Sequence, residues 1–226
     1  MNKLLFSNNK VEILISDISD GNMRSFQESE EPSIIKNQIS LSRLLDLGKE
    51  KVARLNTQYN RSTFSEFKKI TEENLKYFSI SLPEKEIPVS DGLLTLLPEV
   101  GLFLPLADCL GIVFYDDKKK VLGLLHTGRH NLEDFGPKKF VEVLKKDFNC
   151  EPSDLKIYFS PCAREYEIRK FNNKTIPEVA KEQLKDSGVP LENIVESPID
   201  VAKDENYPSN SQGDKTTRFA ILVKMV

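Results

Sequence analysis

Two continuous apolar runs, Leu110–Tyr115 (LGIVFY) and Val121–Leu125 (VLGLL), flank the polar segment Asp116–Lys120. A strand that alternates apolar and polar residues shows one face to water, whereas a run without alternation must be covered on both faces. These runs therefore predict a hairpin buried on both sides, with DDKKK at its solvated tip. Such a hairpin needs neighbours, and strand-like segments are present at Val11–Ile15, Val52–Leu55, Leu102–Leu106, Leu155–Phe159 and Thr217–Met225. A break is expected at Pro105, because proline has no N–H to give a ladder.

Helix signals lie between these segments. Pro32 and Ser33 open a helix expected to run to about Leu47 and stop at Gly48. Phe140, Val141, Leu144 and Phe148 recur at helical spacing behind Gly136 and Pro137. Thr175 and Glu178 have the spacing of a capping box, for a helix ending near Gly188. The stretch 64–77 fits neither pattern. Strands and helices are mixed rather than strictly alternating, so the expected class is α/β (α+β): one compact domain over residues 1–226, a mixed β-sheet flanked by helices.

Charge narrows the function classes. The 226 residues carry a formal net charge of -3, with acidic residues interleaved among the lysines. That balance argues against nucleic acid as a partner. No apolar stretch approaches the roughly 20 residues a membrane span needs, so no membrane partner is expected. Three cysteines, Cys109, Cys150 and Cys162, are too few for a disulfide scaffold. They suit a reducing, cytoplasmic setting, where thiols stay available for metal or catalysis. A monomer or small homo-oligomer is expected.

The hairpin also gathers the chemistry. With a turn centred near Lys118, facing residues have numbers that sum to about 236, which pairs Cys109 with Thr127 and His126 with Leu110. Cys109 and His126 then share the open end, their alpha carbons roughly 5 Å apart. A thiol and an imidazole this close make half of a zinc site, or a nucleophile with its base. A buried cysteine and a hydrogen-bonded histidine at a strand end is the plainer reading. The only two histidines, His126 and His130, fall in this one window.

Leu106-Ala107-Asp108-Cys109, an apolar strand, and then His126-Thr127-Gly128 resemble the Ala-Asp-Cys and His-Ala-Gly-Trp-Arg-Gly segments of the laccase-domain family. Asp91-Gly-Leu-Leu-Thr95, Ser160-Pro161-Cys162 and Tyr166-Glu167-Ile168 resemble further pieces of the same pattern, and Asp20-Gly21-Asn22-Met23 fits it more loosely. The resemblance implies a compact mixed-sheet domain and a purine nucleoside phosphorylase or adenosine deaminase-type metalloenzyme. Adenosine, inosine or methylthioadenosine, with phosphate, would be its substrates, and zinc or copper its metal, held by His, Cys and His.

The chain departs from that pattern in three places. Asn60, in Gln58-Tyr59-Asn60-Arg61, stands where the first metal histidine is expected, leaving Cys109, His126 and Asn60 as the metal set. An amide oxygen is a weak zinc ligand. Arg129-His130-Asn131 replaces Trp-Arg-Gly, and the segment 209–214 has no arginine pair. Cys109, His126, Arg129 and His130 are the candidate catalytic residues. Asp108, Cys162 and Arg164 are candidates for substrate contact, with Arg164 as a cation for phosphate. Two alternatives stand beside the metalloenzyme: a metal-free cysteine hydrolase using Cys109 and His126, and a catalytically degraded descendant that binds a nucleotide or a partner protein.

Overall fold

The computed structural model describes residues 4–7, 10–24, 29 and 31–226. Strands come in the order β1 (Leu4–Ser7), β2 (Val11–Ile15), β3 (Val52–Arg54), β4 (Phe67–Ile70), β5 (Gly92–Thr95), β6 (Gly101–Leu106), β7 (Leu110–Asp116) and β8 (Val121–Thr127). They continue with β9 (Lys156–Phe159), β10 (Glu167–Ile168), β11 (Lys174–Thr175), β12 (Ile194–Glu196) and β13 (Phe219–Met225). The α-helices are α1 (Glu31–Ser42), α2 (Arg129–Glu133), α3 (Gly136–Phe148) and α4 (Ile176–Asp186). Among the described residues, no helix is long and apolar enough to cross a membrane.

The class is α/β as expected, with the strands shared between two mixed sheets. One has the order β1-β2-β13-β6-β3 and the other β12-β9-β7-β8-β5-β4, while β10 and β11 pair separately. Ile13, Leu102, Leu104, Ile221 and Val223 from the first sheet pack with Val113, Leu122 and Leu124 from the second. The outer face of the first sheet, through Phe103 and Leu222, meets Leu41 of α1 and Leu45 just beyond it. The outer face of the second meets α3 and α4 through Ile112, Phe114, Leu125, Phe140 and Leu184. Helix, sheet, sheet and helices therefore stack as four layers. This is why β7 and β8 lack alternation: both of their faces are interior.

Several boundaries differ from the sequence expectation. β6 is unbroken through Pro105, which pairs with Ala220. On its other flank β3 ends its pairing at Phe103, so the missing proline N–H costs no ladder bond there. α1 stops at Ser42, and a tighter turn over Arg43–Leu45 leads to Asp46 in the left-handed region, φ 55°. The terminal strand begins at Phe219 rather than Thr217. The ambiguous stretch 64–77 resolves into the short strand β4 and a single helical turn at Leu75–Tyr77. The capping box at α4 is present, with the Thr175 amide donating to the Glu178 carboxylate at 2.8 Å.

Candidate active site

The β7–β8 hairpin pairs Leu110 with Thr127 and Gly111 with His126. That is one residue away from the expected register. Asp116 pairs with Val121, and its carboxylate accepts the amides of Lys118 and Lys119 at 2.8 and 3.0 Å, while Lys120 turns left-handed at φ 52°. The shift matters, because side chains alternate between faces. In the expected register Cys109 and His126 would point to opposite sides. In the observed one they share a face, Cys109 two residues before Gly111 and His126 opposite it.

Gly128 closes this corner. A β-carbon there would lie 2.7 Å from the Cys109 sulfur and 3.5 Å from His126 Cε1. The first distance is shorter than real contacts allow, so the approach of the thiol to the backbone requires glycine. His126 is 6% exposed, and its amide donates to the Asp91 carbonyl at 2.8 Å. Asp91 immediately precedes β5, and its carboxylate accepts from Arg61 and from the Glu66 amide. The His126 ring meets Tyr59 edge-on, with centroids 6.2 Å apart.

These residues line a cavity of about 320 Å³ where the two sheets meet. Its inner wall has Cys109, His126 and Gly128, with Arg24 and Arg218 beside them, and its rim has Arg129, His130, Phe64 and Tyr166. His130 stacks on Phe64, centroids 4.8 Å apart and planes 18° from parallel, and its Nε2 lies 3.3 Å from Arg129 Nη2. Asn131 and Asp134 brace the rim: Asn131 donates to the Phe64 carbonyl at 2.6 Å, and Asp134 accepts from the Phe64 amide at 3.0 Å.

Electrostatics separate the two candidate catalytic groups from their ordinary chemistry. Burial, helped by the positive charges of Arg24 and Arg61, pushes His126 down from 6.5 to about 3. Burial and the Asp108 charge push the Cys109 thiol up to about 11, against the opposing pull of Arg218 and Tyr59. Burial likewise pushes the Tyr59 phenol up to about 12. At neutral pH the three are uncharged. A cysteine nucleophile needs a thiolate, normally beside an imidazolium, and both shifts run against that pair.

Other candidates sit elsewhere. Asn60 is exposed and is not part of the cavity wall; its neighbour Tyr59 occupies the place proposed for it, beside Cys109 and His126. Arg164 also lies outside the wall, donating to the Ser197 carbonyl at 2.7 Å and paired with Glu196 at 3.1 Å. Cys162 is fully buried, in a bridge to Asp200, and packs in the core behind the wall. Asp108 does line the cavity, but its carboxylate accepts from the hydroxyls of Ser209 and Ser211, both at 2.7 Å. It therefore holds the 209–214 loop.

Sequence reading passed over Tyr59, Arg24, Arg218 and the Arg61–Asp91 pair. Tyr59 was adjacent to a residue already singled out. Nothing local marks Arg24 or Arg218, which come together only through pairing of distant segments.

A family model described as multi-copper polyphenol oxidoreductase laccase matches residues 15–176. The chain belongs to this laccase-domain family. Solved structures with the same fold include the Bacillus licheniformis hypothetical protein YfiH, with a TM-score of 0.83, 15% identity and 100% of both chains covered. Another is YlmD from Geobacillus stearothermophilus, with a TM-score of 0.79, 17% identity, and 95% of this chain and 91% of that one covered. A purine nucleoside phosphorylase of Clostridium acetobutylicum is 29% identical over 132 residues, 54% of this chain and 53% of that protein. One from Borreliella burgdorferi is 36% identical over 88 residues, 38% of each. The chain thus matches about half or less of the length of these curated relatives.

The family description implies copper, so the donor set of this laccase-domain chain can be tested against a metal. Among the described residues, no group of three or more His, Cys, Asp or Glu side chains is placed to hold a metal ion. Cys109 and His126 supply two donors, and the neighbours beside them are a phenol and two guanidinium groups. A structural or catalytic zinc takes three or four protein ligands. The donor set does not fit a resident metal.

Proposed function

We propose that the cavity binds a purine nucleoside together with phosphate and cleaves the glycosidic bond by phosphorolysis. One observation carries this reading: flat π faces and guanidinium groups share one cavity of about 320 Å³. That size is near the lower end for small-molecule sites. Tyr59, the Phe64–His130 stack and Tyr166 suit a purine ring, and the arginines suit a dianion. The two curated relatives named as purine nucleoside phosphorylases point the same way. Adenosine, inosine and methylthioadenosine are the proposed nucleosides.

In the reaction a phosphate oxygen forms a bond to ribose C1′. The bond from C1′ to the purine nitrogen breaks, its electron pair passes to the base, and the base takes up a proton. The proton comes from the attacking phosphate, and the products are free purine and ribose 1-phosphate, or 5-methylthioribose 1-phosphate from methylthioadenosine. The protein's part is positioning and charge. His126 and Cys109, uncharged at neutral pH, act as hydrogen-bonding walls, the arginines hold phosphate, and His130 with Arg129 closes the rim over the base.

The test is release of free base from adenosine, inosine, methylthioadenosine and guanosine, with and without phosphate. The expected result is phosphate-dependent formation of ribose 1-phosphate from at least one of them, with kcat/KM at least 10-fold lower in His126→Ala at unchanged circular dichroism. No phosphate-dependent release from any of the four would leave a binding pocket without turnover and sink the proposal.

A further inference from the structure

We propose that a second cavity, just outside the rim of the first, is a site for a zwitterionic α-amino acid carried on the 5′ carbon of the nucleoside. The proposal rests on the phosphorolysis reading for the nucleoside itself. The second cavity has a volume of about 600 Å³ and shares Arg129 and Tyr166 with the first, so one begins where the other ends. In the pose that phosphorolysis requires, C1′ faces the phosphate and the base lies on the aromatic faces. A substituent on C5′ can leave the first cavity without displacing either. Methylthioadenosine already carries a thioether at that carbon.

The charges around the second cavity define what such a substituent should be. Glu133, Glu165 and Glu167 bring the negative charges, and Arg129, Arg169 and Lys170 the positive ones. The two signs balance, so the cavity as a whole favours neither a simple anion nor a simple cation. Glu165 is paired with Lys203, and Arg129 lies beside His130. Among the described residues, the side chains of Glu133, Glu167, Arg169 and Lys170 make no hydrogen bond or ion pair. An α-amino acid sets an ammonium and a carboxylate on one carbon, and unpaired groups of both signs around one cavity complement it.

Local structure holds these charges in place. Arg129 and Glu133 stand four residues apart on α2, on one face of the helix. On the opposite wall Ile168 is buried in the core beside the second sheet, while β10 pairs with β11, Glu167 opposite Thr175. With Ile168 turned inward, its neighbours Glu167 and Arg169 are exposed. The turn over Arg169–Phe171 then ends at Asn172, φ 55°. Tyr166, 42% exposed, forms part of both cavities. The Tyr166-Glu167-Ile168 motif thereby supplies a ring to the first cavity, a charge to the second, and the anchor that holds both.

The test compares two ligands by calorimetry on the full chain. S-adenosylhomocysteine is an adenosine 5′-thioether bearing an amino acid, and methylthioadenosine is the thioether without it. The variants are Arg169→Glu and Glu167→Lys, at exposed positions where charge reversal spares the fold. The expected result is binding of S-adenosylhomocysteine to wild type about fivefold or more tighter than methylthioadenosine, and a preference below about twofold in each variant. The affinity for methylthioadenosine itself should change less than about twofold, and the preference should shrink in high salt, which screens exposed charges. Equal, weaker or absent binding of S-adenosylhomocysteine to wild type would overturn the proposal. So would a preference that either variant keeps in full, or a loss of affinity that methylthioadenosine shares. Phosphate-dependent cleavage of methylthioadenosine without any preference for the amino acid would reject the second site and leave the reaction standing. A preference lost in both variants, with no phosphate-dependent release of base from any nucleoside, would do the reverse.

Discussion

The inner end of the cavity and its rim are built from different material. His126 lies in β8, and Cys109, Gly128 and Asp91 directly adjoin β7, β8 and β5, whose register fixes the direction each takes. Tyr59, Phe64, Arg129 and His130 sit on a loop and on the five-residue helix α2, joined to the sheets by side-chain hydrogen bonds. A strand end can move only if its ladder moves. A loop can be replaced residue by residue. By the resemblance read from the sequence, the matching motifs fall at the strand ends, and the departures fall on the loop at Asn60 and on α2 at Arg129-His130-Asn131. The comparison teaches that scaffold and specificity are separable here: the sheets hold the site and the loops decide its chemistry.

Changes at the strand ends should therefore cost stability, and changes at the rim should spare it. The largest effect is expected for Asp91→Ala. It takes from the Arg61 guanidinium, whose side chain is 14% exposed, its buried carboxylate partner, leaving only the half-exposed Glu66 at 3.6 Å. Loss of one partner of a buried pair costs about 3–5 kcal/mol, measurable by urea unfolding. A loss under about 1 kcal/mol would show that the inner end is no more tightly built than the rim.

The next is a pH effect. The unfolded chain protonates His126 near 6.5, while the folded one resists until about 3. The stability this histidine supports is fully present above pH 6.5 and is lost as pH falls through that window, at about 1.4 kcal/mol per pH unit. His126→Gln should flatten that part of the stability profile, while His130→Gln should leave its slope in place. An unaltered slope in His126→Gln would mean the ring is not held neutral.

Gly128→Ala forces a methyl against the Cys109 sulfur. Overpacking of this kind costs about 1–3 kcal/mol, read as a lower urea midpoint at unchanged m-value. A double variant with Cys109→Ala should recover most of the loss, because the clash is with that one atom. The smallest effect is expected for His130→Ala, which removes a stacked pair worth about 0.5–1.5 kcal/mol. Its mark should be on KM for the nucleoside rather than on the unfolding midpoint. A midpoint shift as large as that of Gly128→Ala would erase the distinction between the two regions.

The same division explains what could be read from the sequence. The hairpin, α3 and the capping box of α4 announce themselves through local patterns of apolar residues and turn chemistry, and the family resemblance rests on strand-borne motifs. Cys109 and His126 are expected at the open end of the hairpin and lie there, but with His126 opposite Gly111 rather than Leu110. Asp116 absorbs two turn amides and moves the whole ladder by a residue, a choice no periodicity reveals. Two sheets instead of one were hidden because a strand buried on both faces reads the same in either arrangement. Arg24 and Arg218 were invisible because they meet only when β13 is in place. Asn60 was a plausible misreading, since the loop turns its neighbour Tyr59 toward the site and sends Asn60 to solvent.

The order of the first sheet has a consequence for how the molecule is made. β13, the last of the described strands in chain order, lies between β2 and β6, in the interior of that sheet. Until residues 219–225 have left the ribosome, β2 and β6 have no common neighbour and their inner edges stay open, so this sheet closes only after translation of its final strand, while the second sheet can assemble earlier. Arg218 immediately precedes that strand, so the cavity is complete only once β13 is in place. A chain without β13 would leave the inner edges of β2 and β6 unpaired, the kind of open strand edge that invites association.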